Sequence, residues 1–184
     1  KRIKAELVPA ILTAGEWTSW NSAAKKVLET DSRFGVNPNN INEYIVRDRE
    51  ITPEEKLSNE FKAQKQFFAR IDILMKFVND DITDKESELF ADMFSYFTGI
   101  LKSFNAVNEQ VIAAYLVVQK VGARFTNLAF QTRFTFEQMY REIENPRVMY
   151  TSLKDTKNTS LRDDFLKSIK LLPDWDKQYI ALFP

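Results

Sequence analysis

The acidic residues between Asp80 and Glu88 are the side chains best suited to chemistry in this sequence. The segment reads DDITDKESE, and its carboxylates are hard oxygen ligands of the kind that bind divalent cations. It lacks the spacing of an EF-hand loop and the glycine that such a loop needs for its sharp turn. Acidic residues also stabilise the first turn of a helix through the helix dipole. We therefore interpret the segment as a turn that leads into a helix, and we expect no metal site.

Composition excludes several kinds of catalytic centre. The chain has no histidine, no cysteine and four glycines. It therefore lacks an imidazole base, a thiolate nucleophile, a His/Cys zinc site and a glycine-rich phosphate loop. Ser22 and Lys25 have the spacing of a Ser-x-x-Lys pair, but the Ser-Asp-Asn and Lys-Thr-Gly motifs that accompany such pairs are missing. We interpret this pair as a solvated helix face, and we expect no catalysis and no cofactor.

A charged tract, Arg47-Asp48-Arg49, lies between Ile45-Val46 and Ile51. Loop residues on a rigid scaffold often carry binding, so these three side chains are candidate contacts to a partner protein. The other interpretation is local ion pairing within an exposed connection. The sequence leaves both open.

Basic residues surround the first two helical stretches, where aromatic side chains also occur, and such a combination can bind RNA. They are Lys1, Arg2, Lys4, Lys25, Lys26 and Arg33. The whole chain carries 26 basic and 26 acidic residues, so no net positive field attracts nucleic acid. We interpret these cations as solvated and expect no direct nucleic-acid binding.

The chain has fifteen phenylalanines, which predict a large aromatic core. Trp17, Trp20 and Trp175 could form a ligand cage, but the helical spacing of Trp17 and Trp20 favours burial in the core. Phenylalanines that stay exposed could instead form a groove for a partner.

Length and patterning indicate one domain over residues 1–184. No apolar run approaches the roughly 20 residues of a membrane-spanning helix. The N-terminal stretch, KRIKAELVPAILTAG, reads as a helix and not as a signal peptide. The absence of cysteine suits a reducing compartment, so we expect a cytoplasmic protein. Because the first residue is not methionine, we expect a piece of a longer multidomain protein.

Helix starts are marked by capping boxes, in which Ser or Thr is followed three residues later by Glu or Gln. The four strict matches are Thr13/Glu16, Thr52/Glu55, Thr83/Glu86 and Thr135/Gln138. Ser160/Asp163 is a weaker fifth match, and Asn108 is a candidate cap before Val111. Each of these positions precedes a run of apolar residues with helical period. The run after Thr52 predicts one long helix that reaches Asn79.

Two regions interrupt the helical pattern. Residues 34–52 contain Gly35 and the run Asn-Pro-Asn-Asn, which predict a turn followed by an extended or weakly ordered stretch. Residues 146–159 begin with Pro146 and end in KDTKNTS, which predicts a polar loop. Pro173 predicts a break between two C-terminal helices. The fold class is therefore all-α, either an irregular helical-repeat array of the TPR or HEAT kind or a multi-helix bundle.

Three segments together resemble the helical region that precedes the catalytic module of unusually long bacterial Gre-type transcription elongation factors. They are EWTSWNSAAKKVLETDSRFGV, YIVRDREITPEEKLSNEF and DFLKSIKLLPDWDKQYIALFP. Gre-type factors insert an acidic-tipped coiled-coil hairpin into RNA polymerase and assist cleavage of backtracked RNA. Neither that hairpin nor a β-rich tail is visible in this sequence, so no cleavage residue can be transferred to it.

The resemblance implies a non-catalytic interaction domain within a transcription elongation factor. Its expected partner is RNA polymerase or an associated protein, and the expected contacts are Arg47, Asp48 and Arg49. A standalone helical adaptor unrelated to transcription is the first alternative. A metal-dependent enzyme that uses only carboxylates is the second. The oligomeric state stays open.

Overall fold

The computed structural model describes residues 2–128 and 130–183, and it is helical apart from one two-stranded sheet. The helices are α1 (Arg2–Leu7), α2 (Ala14–Thr30), α3 (Pro53–Ala63), α4 (Phe67–Asn79), α5 (Glu88–Ser103), α6 (Glu109–Arg124), α7 (Phe136–Arg141), α8 (Pro146–Ser152), α9 (Leu161–Ile169) and α10 (Trp175–Leu182). The strands are β1 (Phe34–Asn37) and β2 (Asn40–Val46), and a short 3-10 helix covers Thr126–Leu128. This architecture confirms the predicted multi-helix fold.

Three of the four predicted capping boxes form, at the starts of α2, α3 and α7. At α3 the main-chain N–H of Thr52 donates to Glu55 Oε2 over 3.0 Å, while the N–H of Glu55 donates to Thr52 Oγ1 over 3.2 Å. The predicted caps Asn108 and Ser160 also accept hydrogen bonds from the first turns of α6 and α9. Local polar signals therefore locate most helix starts correctly.

The prediction of a helix start at Thr83 is wrong. The Thr83 hydroxyl is buried and donates to the main-chain carbonyl of Phe77 over 2.8 Å, so it closes the end of α4. Helix α5 starts five residues later, where Ser87 Oγ accepts the N–H of Phe90. The Thr83/Glu86 pattern fails because the threonine side chain satisfies a carbonyl behind it in the chain.

The prediction of one long helix up to Asn79 is also wrong, because the chain bends between α3 and α4. Gln64 has an extended backbone, with ψ 127°, and it ends α3. The guanidinium Nε of Arg70 donates to the Gln64 carbonyl over 2.7 Å and satisfies it outside a helix. No proline or glycine marks this bend, so the apolar pattern continues across it without interruption.

Residues 34–46 form an antiparallel hairpin. Phe34 pairs with Val46 and Val36 with Tyr44, and the turn at Asn37 is fixed by its Oδ1, which accepts the N–H of Asn39 over 3.0 Å. The predicted turn and the extended stretch after it are confirmed. The residues before the turn also form a strand, which was not predicted. The hairpin packs against α3.

The core lies among α3 to α10 and is rich in aromatic side chains, as predicted. Phe77 of α4 and Phe90 of α5 are fully buried and stacked, with ring centroids 4.9 Å apart and planes 6° apart. Phe165 of α9 meets Phe136 of α7 edge to face, with centroids 5.8 Å apart. These contacts join different helices and fix the positions of those helices relative to one another.

The region after Pro146 differs from the predicted polar loop. Asn145 caps a short helix, α8, with Pro146 in its first turn, where a missing N–H has no cost. Only the second half of the segment is a loop, and it is held by Asn158, whose side-chain amide donates to Asp72 Oδ1 over 2.8 Å. The predicted break at Pro173, between α9 and α10, is confirmed.

Candidate functional site

The predicted contact residues Arg47, Asp48 and Arg49 lie on the connection between β2 and α3, and all three are exposed. Arg49 makes a bidentate ion pair with Glu55: its Nη1 donates to Oε2 over 2.9 Å, and its Nη2 donates to Oε1. With the N–H of Thr52, this pairing lowers the pKa of Glu55 to about 2. The interpretation as local ion pairing therefore applies to Arg49.

Arg47 has a different position from Arg49. Its main-chain N–H donates to the carbonyl of Arg33 over 2.9 Å, which extends the hairpin pairing by one bond. Its side chain and that of Asp48 are exposed on the connection. These two side chains can therefore meet a partner without breaking an interaction that stabilises α3.

A groove of about 310 Å³ opens beside this connection, between the hairpin and helices α3 and α4. Its lining residues are Leu28, Glu29, Phe34, Gly35, Val36, Ile41, Tyr44, Pro53, Lys56, Leu57, Glu60, Lys76 and Asp80. Apolar side chains from α2, the hairpin and α3 share this wall with carboxylates and ammonium groups. The groove therefore combines apolar surface with charge in one concave site, as ligand and peptide sites do.

Glu60 is the acidic side chain most affected by this environment. It is half-buried on α3, and burial raises the pKa of its carboxyl group. The ammonium of Lys76 acts in the opposite direction, whereas the carboxylates of Glu29 and Asp72 raise the pKa further. In the described part of the chain, no salt bridge to Glu60 forms.

Tyr44 lies across the groove on β2. Burial raises the pKa of its phenol, and the charges of Glu29 and Glu60 raise it further. The residue as a whole is 39% exposed and remains accessible from solvent. An aromatic face and two carboxylates therefore surround the same space.

Lys56 also lines the groove, but its charge is used within the fold. Its ammonium donates to the main-chain carbonyls of Glu29, over 3.0 Å, and Asp31, over 2.5 Å, at the end of α2. Burial lowers the pKa of this amine, and the opposing effect of the Asp31 carboxylate is smaller. Among the lining residues, Lys76 is then the remaining ammonium beside the carboxylates of Glu29, Glu60 and Asp80. The lining therefore carries three carboxylates and two ammonium groups, an excess of one negative charge.

The acidic segment 80–88 forms a tight turn. Asp80 Oδ1 accepts the N–H of Ile82 over 3.0 Å, Asp84 Oδ1 accepts that of Glu86 over 2.9 Å, and the Lys85 ammonium donates to the carbonyl of Asp80. Within residues 2–128 and 130–183, no three acidic side chains are grouped so that they could hold a metal ion. The segment shapes the approach to α5, as the turn interpretation predicted.

The prediction that Trp17 and Trp20 are core residues is wrong. Helix α2 has no buried residue, Trp17 is half-buried, and Trp20 is 38% exposed. The two rings lie 5.4 Å apart between centroids, and the Lys4 ammonium lies 5.8 Å from the Trp17 ring. Helical spacing identifies one face of α2, but only few neighbouring elements cover that face. Trp175 on α10 is also exposed.

The remaining candidates lie at the surface. Ser22 is exposed on α2, and its hydroxyl donates to the carbonyl of Thr18 over 3.0 Å, while the Lys25 side chain is exposed. The basic residues Arg2, Lys4, Lys25, Lys26 and Arg33 are all exposed, and Lys1 lies outside the described residues. No helix in the described ranges combines the length and apolar character needed to cross a bilayer.

Sequence reasoning missed the groove and its residues Glu60 and Tyr44. A signal for Glu60 was present: it lies between the buried residues Leu57 and Phe61 of α3, next to the apolar stripe. A carboxylate at the edge of such a stripe faces a neighbouring element and not open solvent. Tyr44 gave no such signal, because its place depends on how the hairpin packs.

Two family models match successive parts of the chain. The GRAD helix-turn-helix domain matches residues 1–51, and the GreA-associated C-terminal domain matches residues 53–184. The chain belongs to the family of GreA-associated domains. The junction between the two matches falls at Thr52, the cap of α3. The helix-turn-helix match contains α1, α2 and the hairpin, and the groove takes its lining from both matched regions.

Two curated relatives align with the whole chain. One, from Treponema pallidum, is named for its GreA-associated domains and is 44% identical over 185 residues, which are 27% of its own length. The other, Transcription elongation factor GreA of Borreliella burgdorferi, is 26% identical over 187 residues, 21% of its length. The chain therefore spans about a quarter of the length of these relatives. No solved structure matches it. These comparisons confirm the resemblance to long Gre-type factors.

Proposed function

We propose that this GreA-associated chain is a non-catalytic protein-interaction module of a cytoplasmic bacterial transcription elongation factor, and that it contacts RNA polymerase or a protein bound to it. The observation that carries the proposal is the alignment of the whole chain within a protein named Transcription elongation factor GreA. A domain inside such a factor is held close to the transcription complex, so even a weak contact there has a high effective concentration.

The chemistry of the chain supports binding and not catalysis. It has no histidine or cysteine to act as a base or nucleophile, and several of its charged side chains are engaged in caps and ion pairs. Its surface instead carries exposed aromatic and aliphatic side chains near the hairpin that lines the groove. They include Trp20 and Val27 on α2 and Val46 on β2. Exposed aromatics are common anchors in protein interfaces.

The contact face that we propose includes Arg47 and Asp48. They are exposed on the connection that joins the two matched regions, and their side chains are not needed to cap α3. Arg49 belongs to the same tract but stabilises the α3 start through Glu55. A charged rim of this kind affects partner choice and association rate more than affinity.

A binding assay with purified components tests the proposal. RNA polymerase core enzyme from the bacterium that encodes this chain is immobilised, and binding of the full chain is measured by biolayer interferometry. The matched variants are Arg47→Glu and Lys157→Glu, each the reversal of one exposed cation outside the helices. Circular dichroism and melting temperature verify that both variants keep the fold.

We expect the wild type and Lys157→Glu to bind polymerase with similar association rate constants and Arg47→Glu to associate at least about tenfold more slowly. Equal binding of both variants would keep the function and reject the contact face. No binding of the wild type, to core enzyme or to polymerase-containing fractions of lysate, would reject the proposed function and favour a helical adaptor unrelated to transcription.

A further inference from the structure

The groove between the hairpin and α3 contains a carboxylate whose charge is poorly compensated. Glu60 is half-buried at its wall, and no other side chain in the described ranges forms a salt bridge with it. Burying a charged group without a partner is unfavourable, and fold stability alone would favour a neutral residue at this position. Its presence is explained if a partner supplies the missing cation.

The other charges around the groove also favour a cationic occupant. The Glu29 carboxylate acts on both Glu60 and Tyr44, as the pKa values of these groups show, and Asp80 lines the same space. Lys56 is held by two main-chain carbonyls at the end of α2 and cannot swing to neutralise Glu60 without breaking those bonds. Lys76 also lines the groove and its ammonium acts on Glu60, but the two form no salt bridge, and the carboxylates of Glu29, Glu60 and Asp80 outnumber it. An entering cation therefore still meets an excess of negative charge.

The apolar lining restricts the occupant further. Phe34, Val36, Ile41 and Leu57 form apolar surface beside the carboxylates, and Tyr44 offers an accessible ring. At about 310 Å³, the groove lies at the lower end of ligand-site volumes. It suits one long side chain with an apolar stem and a charged, planar head that can stack on an aromatic ring. Arginine has that combination, and its guanidinium pairs with a carboxylate through two parallel hydrogen bonds.

We propose that this groove receives an arginine side chain of a protein partner, with Glu60 as its ion-pair acceptor and Tyr44 as its stacking surface. The arginine bridges the two matched regions, because Tyr44 belongs to the first and Glu60 to the second. Binding therefore stabilises their packing on each other. The inference rests on the proposed role as a protein-interaction module, but it does not depend on which protein is the partner.

A small probe tests the site without the partner. N-acetyl-L-arginine amide is titrated, up to tens of millimolar, into the isotope-labelled full chain, and chemical shifts of the groove methyl groups and the Tyr44 ring are followed by NMR. N-acetyl-L-citrulline amide has nearly the same shape without the charge and is the matched probe. Glu60→Gln removes the proposed acceptor charge, and Glu144→Gln makes the same change at an exposed turn.

We expect saturable shifts at the groove with the arginine probe, about tenfold weaker binding of the citrulline probe, and a similar loss for Glu60→Gln but not for Glu144→Gln. Equal binding of both probes, unchanged binding by Glu60→Gln, or shifts located away from the groove would each overturn the proposal. The result is separate from the polymerase assay: arginine binding without polymerase binding would retain the groove and reject the proposed function. Polymerase binding without arginine binding would retain the proposed function and reject the groove as an arginine site.

Discussion

The ammonium of Lys56 lies 2.5 Å from the main-chain carbonyl oxygen of Asp31. Lys56 belongs to α3, and Asp31 ends α2, so a side chain of one matched region closes a helix of the other. The last carbonyls of a helix have no partner within the helix, and a cation there also interacts favourably with the helix dipole. This contact, together with the packing of β1 on α3, attaches the N-terminal region to the rest of the chain.

Replacing Lys56 by methionine keeps the aliphatic stem and removes the ammonium. We expect a loss of about 1–2 kcal/mol of unfolding free energy in urea, because two hydrogen bonds to a charged donor are lost. Amide hydrogen exchange should become faster in the last turn of α2 than in the core helices. Lys62→Met, at an exposed position of the same helix, is the control and should be nearly neutral. Equal exchange rates in both variants would show that Lys56 does not hold α2.

Gly35 on β1 faces the buried side chain of Ile51. A Cβ atom at position 35 would lie 2.9 Å from Ile51 Cδ1, closer than atoms can pack without a shift. We expect Gly35→Ala to destabilise the chain by about 1–2 kcal/mol, since the displaced atom belongs to a packed side chain. Gly99→Ala on α5 meets no atom within 4 Å, and it should stabilise by about 0.5–1 kcal/mol through helix propensity. Urea unfolding of both variants measures the difference, and a neutral Gly35→Ala would indicate that Ile51 can move aside.

Glu60 should make stability fall with rising pH. Burial raises the pKa of its carboxyl group in the folded state, with Glu29 and Asp72 acting in the same direction and Lys76 against it. The stabilising contribution is therefore complete below the unfolded pKa near 4.5 and is lost as pH rises through the folded value. Glu60→Gln should be more stable than the wild type at pH 7.5, and the difference should shrink towards pH 4. Melting curves at both pH values test this, and a variant that is less stable at pH 7.5 would contradict it.

Much of this fold can be read from short-range polar signals. Thr13, Thr52 and Asn108 each mark the start of a helix, because they satisfy free N–H groups within the next three residues. Pro173 marks the break before α10 for an equally local reason, since proline cannot donate within a helix. Not every local cap was recognised, because Asn145 and Ser87 also cap helices within three residues, where a loop and a cap at Thr83 had been predicted.

Other features that escaped prediction depend on contacts between elements. The bend after α3 depends on Arg70, whose guanidinium satisfies the Gln64 carbonyl, and no residue type at the bend signals it. The exposure of Trp20 depends on how few elements pack on α2. The groove exists only because the hairpin packs across α3, so the environment of Glu60 requires the tertiary structure. The contact residues Arg47 and Asp48 therefore stay a prediction, whereas the concave groove was not predicted.

The two arginines of the charged tract should respond differently to substitution. Arg49 pairs with Glu55 and lowers the pKa of that carboxyl group to about 2, whereas the Arg47 side chain is exposed on the connection. We expect Arg49→Gln to lower the melting temperature at pH 7 by about 1–3 °C, because the pair is partly screened by solvent. Arg47→Gln should lower it by less, because the Arg47 charge acts on Glu55 without a hydrogen bond.

The effect of Arg49→Gln should also depend on pH. A carboxyl group with a lowered folded pKa contributes stability above its unfolded value, and that contribution disappears as pH falls. The difference between Arg49→Gln and the wild type should therefore be present above about pH 4.5 and vanish as Glu55 becomes protonated near pH 2. Melting curves across this range provide the measurement, with Arg47→Gln as the matched control. A constant difference at all pH values would mean that Arg49 stabilises the chain through packing and not through Glu55.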